Sequence, residues 1–457
     1  MNDVHARLAA LGVKIPEILL PGPGIDLEKW AVIACDQFTQ DRNYWEQLRI
    51  KTENAPSALN LILPEVYLED GDISGRSRAI HRAMRNYIDT GVFAPARSCA
   101  VYIERSTPFN ALRQGLALAI DLDQYDWNPL SRPLIRATEG TVSERLPPRM
   151  QIRRDAPLET PHILLLIDDE ETALLPGLAE EARKGPPLYQ TPLMMNSGSV
   201  SGWALDSEKG LCLLAEGLEH LARKAASRYG TNDKVPFLFA VGDGNHSLAT
   251  AKEVWEEYKA AHKGEPGLAN HPGRFALVEL ENLYDPGLSF RPIHRIIFGA
   301  DPSELLKTLS GLPGFSGQVL DKTIAPAEFF RMTEEGGKEG NSLGLISRPG
   351  NTGKTEDLVF TLIKTRDTGI ATARLQPLLD DFVKKQGVSI DYIHGEEELL
   401  RLCSDPARKP IGILLPPIEK QGLFKTIAQT GPLPRKSFSM GESEEKRFYL
   451  ECRKLFG

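Results

Sequence analysis

Short apolar runs alternate with amphipathic stretches along the whole chain. In the first half the apolar runs predict buried strands. They lie at 30–34, 99–103, 116–122, 162–167 and 236–241. Apolar residues recur at helical spacing in 74–90 and in 213–225, which predicts amphipathic helices there. This alternation predicts a fold of the α/β class in which helices and strands are mixed (mixed α+β).

A segment rich in glycine, proline and histidine interrupts the pattern at 264–273. Beyond it the alternation restarts, with strands predicted at 275–280, 343–346 and 358–363. Breaks of this composition are typical of connections between compact units. We therefore expect a boundary near residue 270, with one domain over 1–270 and a C-terminal α/β domain over 271–457.

Composition narrows the class of protein. Of the 457 residues, 41% are hydrophobic and 25% are charged, as in an ordinary globular protein. The formal net charge of −8 disfavours general binding to nucleic acid. The five cysteines form no Cys-x-x-Cys pair, which fits a reducing cytosol, and no apolar run approaches the length of a membrane span. We expect a cytoplasmic protein with a small-molecule partner, neither nucleic acid nor membrane.

The densest polar chemistry lies in a loop between a predicted strand and a predicted helix. This glycine loop (residues 242–247) consists of Gly242, Asp243, Gly244, Asn245, His246 and Ser247. Two glycines permit positive φ and a close approach by a ligand. The start of the following helix offers unpaired N–H groups and the positive end of a dipole, which suit a phosphate. Ser247 is placed to cap that helix or to donate to a phosphate oxygen.

Two side chains of the glycine loop suit catalysis. The Asp243 carboxylate offers hard oxygen ligands for Mg²⁺ or an acceptor for a hydroxyl group. His246 lies near a helix start, where the cationic imidazole is disfavoured, so a neutral ring is expected to accept a substrate proton or donate to a phosphoryl oxygen. The alternative is a glycine turn with a capping residue and a packed histidine.

Other candidates lie outside this loop. Arg136 and Arg145 belong to an arginine-rich segment, 132–149, that suits phosphate or carboxylate binding, the alternative being a salt-bridged connector. The stretch 350–355 imitates a P-loop, but Arg348 stands where the first glycine belongs and the next predicted element is a strand. We interpret that stretch as a surface turn.

The glycine loop and the residues after it, 242–252, resemble the motif of the family called domain of unknown function 1015. Further stretches of the chain resemble the same family. They lie at 30–44, 54–65, 136–149, 292–295, 391–394 and 434–437. That family looks like a member of the ParB/sulfiredoxin-like superfamily, which includes free-serine kinases. The resemblance implies a ParB/sulfiredoxin-like nucleotide-binding core in 1–270 with an additional C-terminal α/β part.

The same resemblance implies roles for individual residues. Asp243, Gly244, His246 and Ser247 match the loop that binds nucleotide phosphates in these relatives, although the relatives usually have arginine at the position of Ser247. Asp36, directly after the first predicted strand, matches the acidic base of the serine kinases. The implied function is phosphoryl transfer between a nucleotide, ATP or ADP, and a small hydroxylated metabolite such as serine or phosphoserine, with Mg²⁺.

Two rival functions stay open. One is a non-catalytic switch in which nucleotide binding alters the binding of a partner, as in the chromosome-partitioning relatives. The other is a thiol-linked, ATP-using enzyme like sulfiredoxin, for which Cys35 beside Asp36 is the candidate thiol. Turnover of nucleotide that depends on substrate distinguishes an enzyme from a switch.

Overall fold

The computed structural model describes residues 2–231, 233–320, 324–335, 341–348, 358–366, 369–405 and 409–456. The P-loop-like stretch, 350–355, lies outside them. The chain forms two compact units, the first comprising Met1–Ser289 with Gly441–Gly457 and the second Phe290–Met440. In the described residues no helix is long and apolar enough to cross a membrane. Helices and sheets are mixed in both units, so the predicted α/β class is confirmed.

The first unit is built on one large sheet. Its described helices are α1 (Asn2–Ala10), α2 (Leu27–Trp30), α3 (Arg42–Thr52), α4 (Ile73–Asp89), α5 (Leu146–Arg153), α6 (Leu174–Ala182), α7 (Glu208–Tyr229) and α8 (Asn245–Ala261). Its strands before residue 290 are β1 (Val13–Lys14), β2 (Glu17–Ile18), β3 (Val32–Ile33), β4 (Arg97–Ser98), β5 (Ala100–Ser106), β6 (Arg113–Asp121), β7 (Tyr125–Asp126), β8 (Ile135–Ala137), β9 (Leu158–Glu159), β10 (Leu164–Ile167), β11 (Pro187–Pro192), β12 (Ser199–Leu205), β13 (Phe239–Asp243) and β14 (Phe275–Asn282).

The large sheet has ten strands in the order β11-β12-β5-β6-β14-β10-β13-β8-β7, with β1 paired to β6. Successive residues of a strand point to opposite faces, so both faces of this sheet can be buried. On β5, Tyr102 packs in one apolar cluster and its neighbours Val101 and Ile103 pack in another. The sheet is thus covered on both sides, which explains why its central strands read as nearly continuous apolar runs.

Strand direction around β13 determines which loops meet. β13 runs parallel to β8, with Val241 opposite Ala137, and antiparallel to β10, with Asp243 opposite Leu164. The carboxyl ends of β8 and β13 and the amino end of β10 therefore lie at one edge of the sheet. The loop after β8, the glycine loop after β13 and the residues before β10 converge there.

The second unit has its own sheet and core. Its described helices are α9 (Pro302–Leu309), α10 (Pro326–Glu335), α11 (Ala371–Gln386), α12 (Glu396–Cys403) and α13 (Lys420–Thr430). Its described strands are β15 (Phe290–Phe298), β16 (Ser316–Val319), β17 (Ser342–Ser347), β18 (Val359–Lys364), β19 (Ser389–His394), β20 (Pro410–Leu414) and β21 (Phe438–Met440). The order is β16-β18-β17-β20-β15-β19, with β21 paired to β15. Two apolar clusters, one containing Leu345 and the other Ile346, cover its faces.

The chain returns to the first unit at its end. In this C-terminal segment, Gly441–Gly457, β22 (Phe448–Tyr449) pairs with β3 and β23 (Arg453–Lys454) pairs with β9. The first part of the first unit ends at Ser289, whereas a boundary was expected near residue 270. β14 follows that point but is hydrogen-bonded between β6 and β10 inside the large sheet, so the first unit cannot end before it.

Candidate functional site

The glycine loop joins β13 to α8 as the sequence predicts. β13 ends at Asp243 and α8 begins at Asn245, within two residues of Ser247. Gly244 between them has φ +79°, and a Cβ there would lie 3.1 Å from the Ile163 Cα. Glycine is therefore needed both for the left-handed backbone and for the close packing against the residue before β10. The predicted strand–glycine loop–helix architecture is confirmed.

The loop after β8 lies against the start of α8. Thr138 donates its hydroxyl to the Val241 carbonyl at 2.6 Å, and the Asn245 amide Nδ2 lies 3.3 Å from the same hydroxyl. The Val142 N–H donates to His246 Nε2 at 3.4 Å. Because Nε2 accepts there, that contact fits a neutral His246 ring with its proton on Nδ1. Asn245 and His246 thus face the loop of residues 138–142.

Asp243 is paired with a lysine from the far end of the chain. Its Oδ2 lies 3.0 Å from Lys446 Nζ, and its Oδ1 accepts the Gly244 N–H at 3.0 Å. Burial opposes ionisation of Asp243, but the ammonium and hydrogen bond of Lys446, with His162 nearby, outweigh it and hold the pKa of this carboxyl below its ordinary value. Both carboxylate oxygens are thus engaged by donors.

A histidine that the sequence argument did not single out lies at the centre of the site. His162 Nε2 is 2.8 Å from the Ser247 hydroxyl, and its Nδ1 is 2.8 Å from the Tyr449 hydroxyl. The Asp36 carboxylate lies 3.8 Å from the same Nε2. The side chains of Asp36 and Ser247 therefore both lie close to the same nitrogen of His162. Asp36, which the family resemblance matches to an acidic base, thus lies near Ser247 of the glycine loop.

A cavity of about 140 Å³ opens beside His162. Its polar lining includes Cys35, Glu65, Arg149, His162, Ser247 and Tyr449. Apolar side chains such as Leu61, Met84 and Ile152 form much of the remaining wall. The cavity therefore combines an apolar chamber with a polar end at the first turn of α8, as small-molecule sites commonly do.

Glu65 and Arg149 form an ion pair in the lining of this cavity. Arg149 also donates to the Arg145 carbonyl at 2.6 Å. Burial raises the pKa of Glu65 above its ordinary value, although the Arg149 guanidinium opposes this shift. The arginine-rich segment thus contributes a cation to the cavity, and that cation is Arg149.

The two arginines singled out from the sequence lie elsewhere. Arg136 is buried, its Nη2 lies 2.6 Å from the Asp233 carboxylate, and its guanidinium stacks 4.6 Å from the centre of the Phe237 ring. Arg145 has an exposed side chain and comes directly before α5. Neither lines the cavity. Arg136 fits the structural alternative of a salt-bridged connector.

Cys35 lines the cavity but is poorly suited to thiol chemistry. Burial raises the pKa of its thiol, and the Asp36 and Glu65 carboxylates raise it further. A reactive cysteine needs the opposite, a pKa lowered by cations or a helix start. The buried, acidic surroundings of Cys35 therefore disfavour the sulfiredoxin-like alternative.

Three residues of the site, His162, Lys446 and Tyr449, have no local signal in the sequence. His162 stands at the start of an apolar run and reads as part of a buried strand. Lys446 and Tyr449 reach the site because β22 pairs with β3 and because Arg447, between them, is held by Glu279 and Glu451. The pairing of β22 with β3 and the Arg447–Glu279 ion pair each join residues more than a hundred positions apart, beyond any spacing rule.

Comparison with known proteins gives one family and several similar structures. A solved structure of a conserved hypothetical protein from Pyrococcus furiosus covers 73% of this chain and 94% of that chain, with 10% identity and a TM-score of 0.36. One of a free serine kinase in complex with AMP covers 74% and 92%, with 10% identity and a TM-score of 0.38. C-terminally truncated SbnI from Staphylococcus aureus covers 73% and 85%, with 10% identity and a TM-score of 0.33.

No curated protein matches the chain. The family model described as "Protein of unknown function (DUF1015)" matches residues 19–356, about three quarters of the sequence and most of the residues that form the site. The chain belongs to the DUF1015 family.

Proposed function

We propose that this protein is an enzyme that binds the phosphates of a nucleotide, ATP or ADP, at the start of α8. It moves a phosphoryl group to or from a small hydroxylated metabolite, with serine or phosphoserine as the first candidates. One observation carries the proposal: the first turn of α8 opens into a cavity lined by the hydrogen-bonded Ser247 and His162 and by the Arg149–Glu65 ion pair. Phosphoryl transfer needs mainly positioning and neutralisation of charge, and this arrangement supplies both.

The phosphate side of the site is the glycine loop with the loop of residues 138–142. The N–H groups at the start of a helix have no partner four residues back within that helix, and they point along the positive end of its dipole. Gly244, in its left-handed conformation against Ile163, turns the chain from β13 into the start of α8 that presents these N–H groups. Asn245 and His246 stand beside these N–H groups, and Lys446 adds a cation next to the loop.

The size of the cavity supports the metabolite as its occupant. Sites for drug-sized ligands commonly have volumes of roughly 300–1,000 Å³. The cavity of about 140 Å³ is too small for a nucleotide but suits an amino acid or one phosphoryl group. The nucleotide therefore extends outside the cavity, with its terminal phosphate at Ser247.

Asp36 and His162 are the candidate bases for the acceptor hydroxyl. His162 lines the cavity, and the Asp36 carboxylate lies 3.8 Å from its Nε2. A metabolite hydroxyl bound between them gives up its proton as its oxygen attacks phosphorus. His246, on the side of the 138–142 loop, is assigned to orient the phosphate and to donate to a phosphoryl oxygen.

A magnesium ion commonly accompanies nucleotide phosphates, and Asp243 is its predicted ligand. The residues present do not fit that role well. Oδ2 of Asp243 faces the Lys446 ammonium and Oδ1 accepts the Gly244 N–H, so a metal would have to displace Lys446. Among the described residues, no group of three or more histidine, cysteine or acidic side chains is arranged to hold a metal ion. The proposed chemistry therefore assigns no step to a metal.

The test combines binding with turnover. The melting temperature of the protein is measured with ATP, ADP, serine and phosphoserine, singly and in pairs, with and without Mg²⁺. A specific ligand raises the melting temperature by mass action. Nucleotide turnover that requires the metabolite supports the enzyme. Nucleotide binding without any metabolite-dependent turnover favours the non-catalytic switch, and no binding of any phosphate compound contradicts both.

A further inference from the structure

Ser247 is hydrogen-bonded in the way that activated serine nucleophiles are. Its Oγ lies 2.8 Å from His162 Nε2, and His162 Nδ1 lies 2.8 Å from the Tyr449 hydroxyl. That hydroxyl also accepts the Cys35 N–H at 3.1 Å. Nucleophile, base and orienting group therefore form a continuous chain, which is the general arrangement for nucleophilic catalysis by a hydroxyl.

The proton positions in this chain are mutually consistent. With its proton on Nδ1, His162 donates to the Tyr449 oxygen and presents the Nε2 lone pair to the Ser247 hydroxyl. Burial, with Cys35 and Asp36 nearby, raises the pKa of Tyr449 well above its ordinary value, so the phenol stays neutral. When Nε2 takes up the serine proton, the Asp36 carboxylate 3.8 Å away stabilises the imidazolium.

Helix capping does not account for this hydroxyl. Gly244 is the N-cap of α8, and no side chain caps the helix. Ser247, the third residue of α8, instead directs its Oγ to His162 and lines the cavity. A phosphate attached to Oγ would lie at the positive end of the α8 dipole, where its negative charge is stabilised.

We propose that Ser247 is a catalytic nucleophile, with His162 as its base and Tyr449 as the positioning residue, and that it carries the phosphoryl group covalently between donor and acceptor. The choice of a nucleotide as the phosphoryl donor rests on the proposed function, whereas the role of Ser247 as a nucleophile does not. Ser247 Oγ attacks the terminal phosphorus of the nucleotide, the O–P bond to the leaving nucleotide breaks, and the hydroxyl proton passes to His162 Nε2. The acceptor hydroxyl then attacks phosphorus, its proton passes to Asp36, the Oγ–P bond breaks, and His162 returns a proton to Oγ.

The first experiment tests the nucleophile without any nucleotide. The full chain is treated with a fluorophosphonate, which forms an Oγ–P bond with an activated serine while its P–F bond breaks. Intact-mass spectrometry follows the rate of adduct formation, and peptide mass spectrometry identifies the modified residue. We expect modification at Ser247, no modification there in Ser247→Ala, and a rate lowered by roughly 10²–10⁴ in His162→Gln, since general-base catalysis is worth that much. Tyr449→Phe should slow it less.

The matched control is Ser227→Ala, which removes an exposed serine of α7 that bonds only the carbonyl of its own helix at Lys224. It should label like wild type. Melting temperatures confirm that each variant is folded, and Ser247→Cys keeps a nucleophile at the position if Ser247→Ala does not fold. Labelling at Ser247 that is unchanged in His162→Gln, or labelling spread over many serines, overturns the proposal.

The second experiment uses ATP or ADP labelled at its terminal phosphate, followed by an acid quench. Acid-stable phosphate on Ser247 that is lost on adding the metabolite supports the covalent route. Fluorophosphonate labelling without phosphate transfer from any nucleotide supports the nucleophile but contradicts the proposed function. Nucleotide turnover with neither reagent modifying Ser247 overturns the nucleophile and leaves the proposed function standing.

Discussion

The Lys446 ammonium lies 3.0 Å from a carboxylate oxygen of Asp243, although nearly half of the chain separates the two residues. The chain completes the first unit only after it has formed the second, when the segment Gly441–Gly457 returns. Lys446 is buried, and the Asp243 side chain is only 24% exposed. This pair therefore connects the glycine loop to the last segment of the chain in surroundings where charge is costly to leave unpaired.

Replacing the lysine should destabilise the protein. Lys446→Met leaves the Asp243 carboxylate without its cation, and removing one partner of a buried ion pair costs about 3–5 kcal/mol. Because Asp243 is partly exposed, we expect about 1–3 kcal/mol, measured by urea unfolding. The lowered pKa of Asp243 makes this contribution present at neutral pH and lost as pH falls below about 4 through the folded-state pKa. The double variant Asp243→Asn/Lys446→Met should be more stable than Lys446→Met alone; an equal or lower stability contradicts the pairing.

The same pair distinguishes two roles of Asp243. If the carboxylate holds Mg²⁺, activity lost in Asp243→Asn returns at high Mg²⁺. If its main role is to pair with Lys446, the asparagine leaves a buried ammonium without a counter-ion, and Mg²⁺ restores nothing. From the occupied carboxylate oxygens we expect the second result. Activity titrated against Mg²⁺ for wild type and Asp243→Asn decides between them.

Local patterns predicted much of the fold. The strand predicted over 236–241 overlaps β13, which spans Phe239–Asp243, and α8 starts within the glycine loop as predicted, because strand burial, glycine and helix start are all encoded by adjacent residues. Trp30, predicted in a strand, instead ends α2, because Asp26 caps that short helix and its carboxylate accepts the N–H groups of Glu28 and Lys29. A short apolar run does not distinguish a buried helix end from a strand.

The site was less predictable than the fold. His246 was singled out because it lies in the motif, whereas the imidazole at the cavity is His162, which the sheet brings to the loop by setting Leu164 opposite Asp243. Likewise Arg149 lines the cavity while Arg136 pairs with Asp233. Which of several arginines or histidines faces a site depends on pairing between distant strands, and such pairing leaves no periodicity to read.

The left-handed backbone at Gly244 gives a further prediction. Gly244→Ala must place a Cβ 3.1 Å from both Cα and Cγ1 of Ile163 in a conformation that L residues disfavour. We expect a loss of about 2–4 kcal/mol from strain and crowding together, with weaker phosphate binding. Gly422→Ala is the control, since a Cβ there meets nothing within 4 Å and the residue lies in helix α13. A wild-type melting temperature in Gly244→Ala would show that the loop adapts.

A buried carboxyl in the large sheet predicts how stability depends on pH. Burial, with repulsion from Glu279 and Asp285, raises the pKa of Glu281 to about 8, although Arg113 lies 2.9 Å away and opposes the shift. Between the ordinary pKa of 4.5 and about 8 the folded state then binds more protons than the unfolded state, so this carboxyl stabilises the fold most at low pH. Stability should fall from pH 5 to pH 8 in wild type and fall less in Glu281→Gln. Glu171→Gln, on an exposed carboxyl, should keep the wild-type slope.

The last prediction separates the two histidines of the site. His162 contacts Ser247, Tyr449 and Asp36 at the cavity, so His162→Gln should lower turnover by roughly 10²–10⁴, the usual size of a general acid–base contribution. His246 contacts the Val142 N–H beside the proposed phosphate position, so His246→Ala should mainly raise the Kd of the phosphate ligand. Its melting temperature should stay close to wild type if the role of His246 is to bind the phosphate rather than to hold the loop together.

Turnover, ligand Kd and melting temperature are measured on both variants at one pH. If His246→Ala lowers turnover by roughly 10²–10⁴ at unchanged Kd while His162→Gln does not, the proton is handled by His246, as the sequence motif alone suggested. If His246→Ala instead loses a few kcal/mol of stability and binds its ligand normally, the glycine loop is a structural turn, because a lost buried hydrogen bond costs about that much. A phosphate held at the start of α8, with the chemistry in the cavity beside it, requires that His162→Gln lowers turnover and that His246→Ala weakens ligand binding.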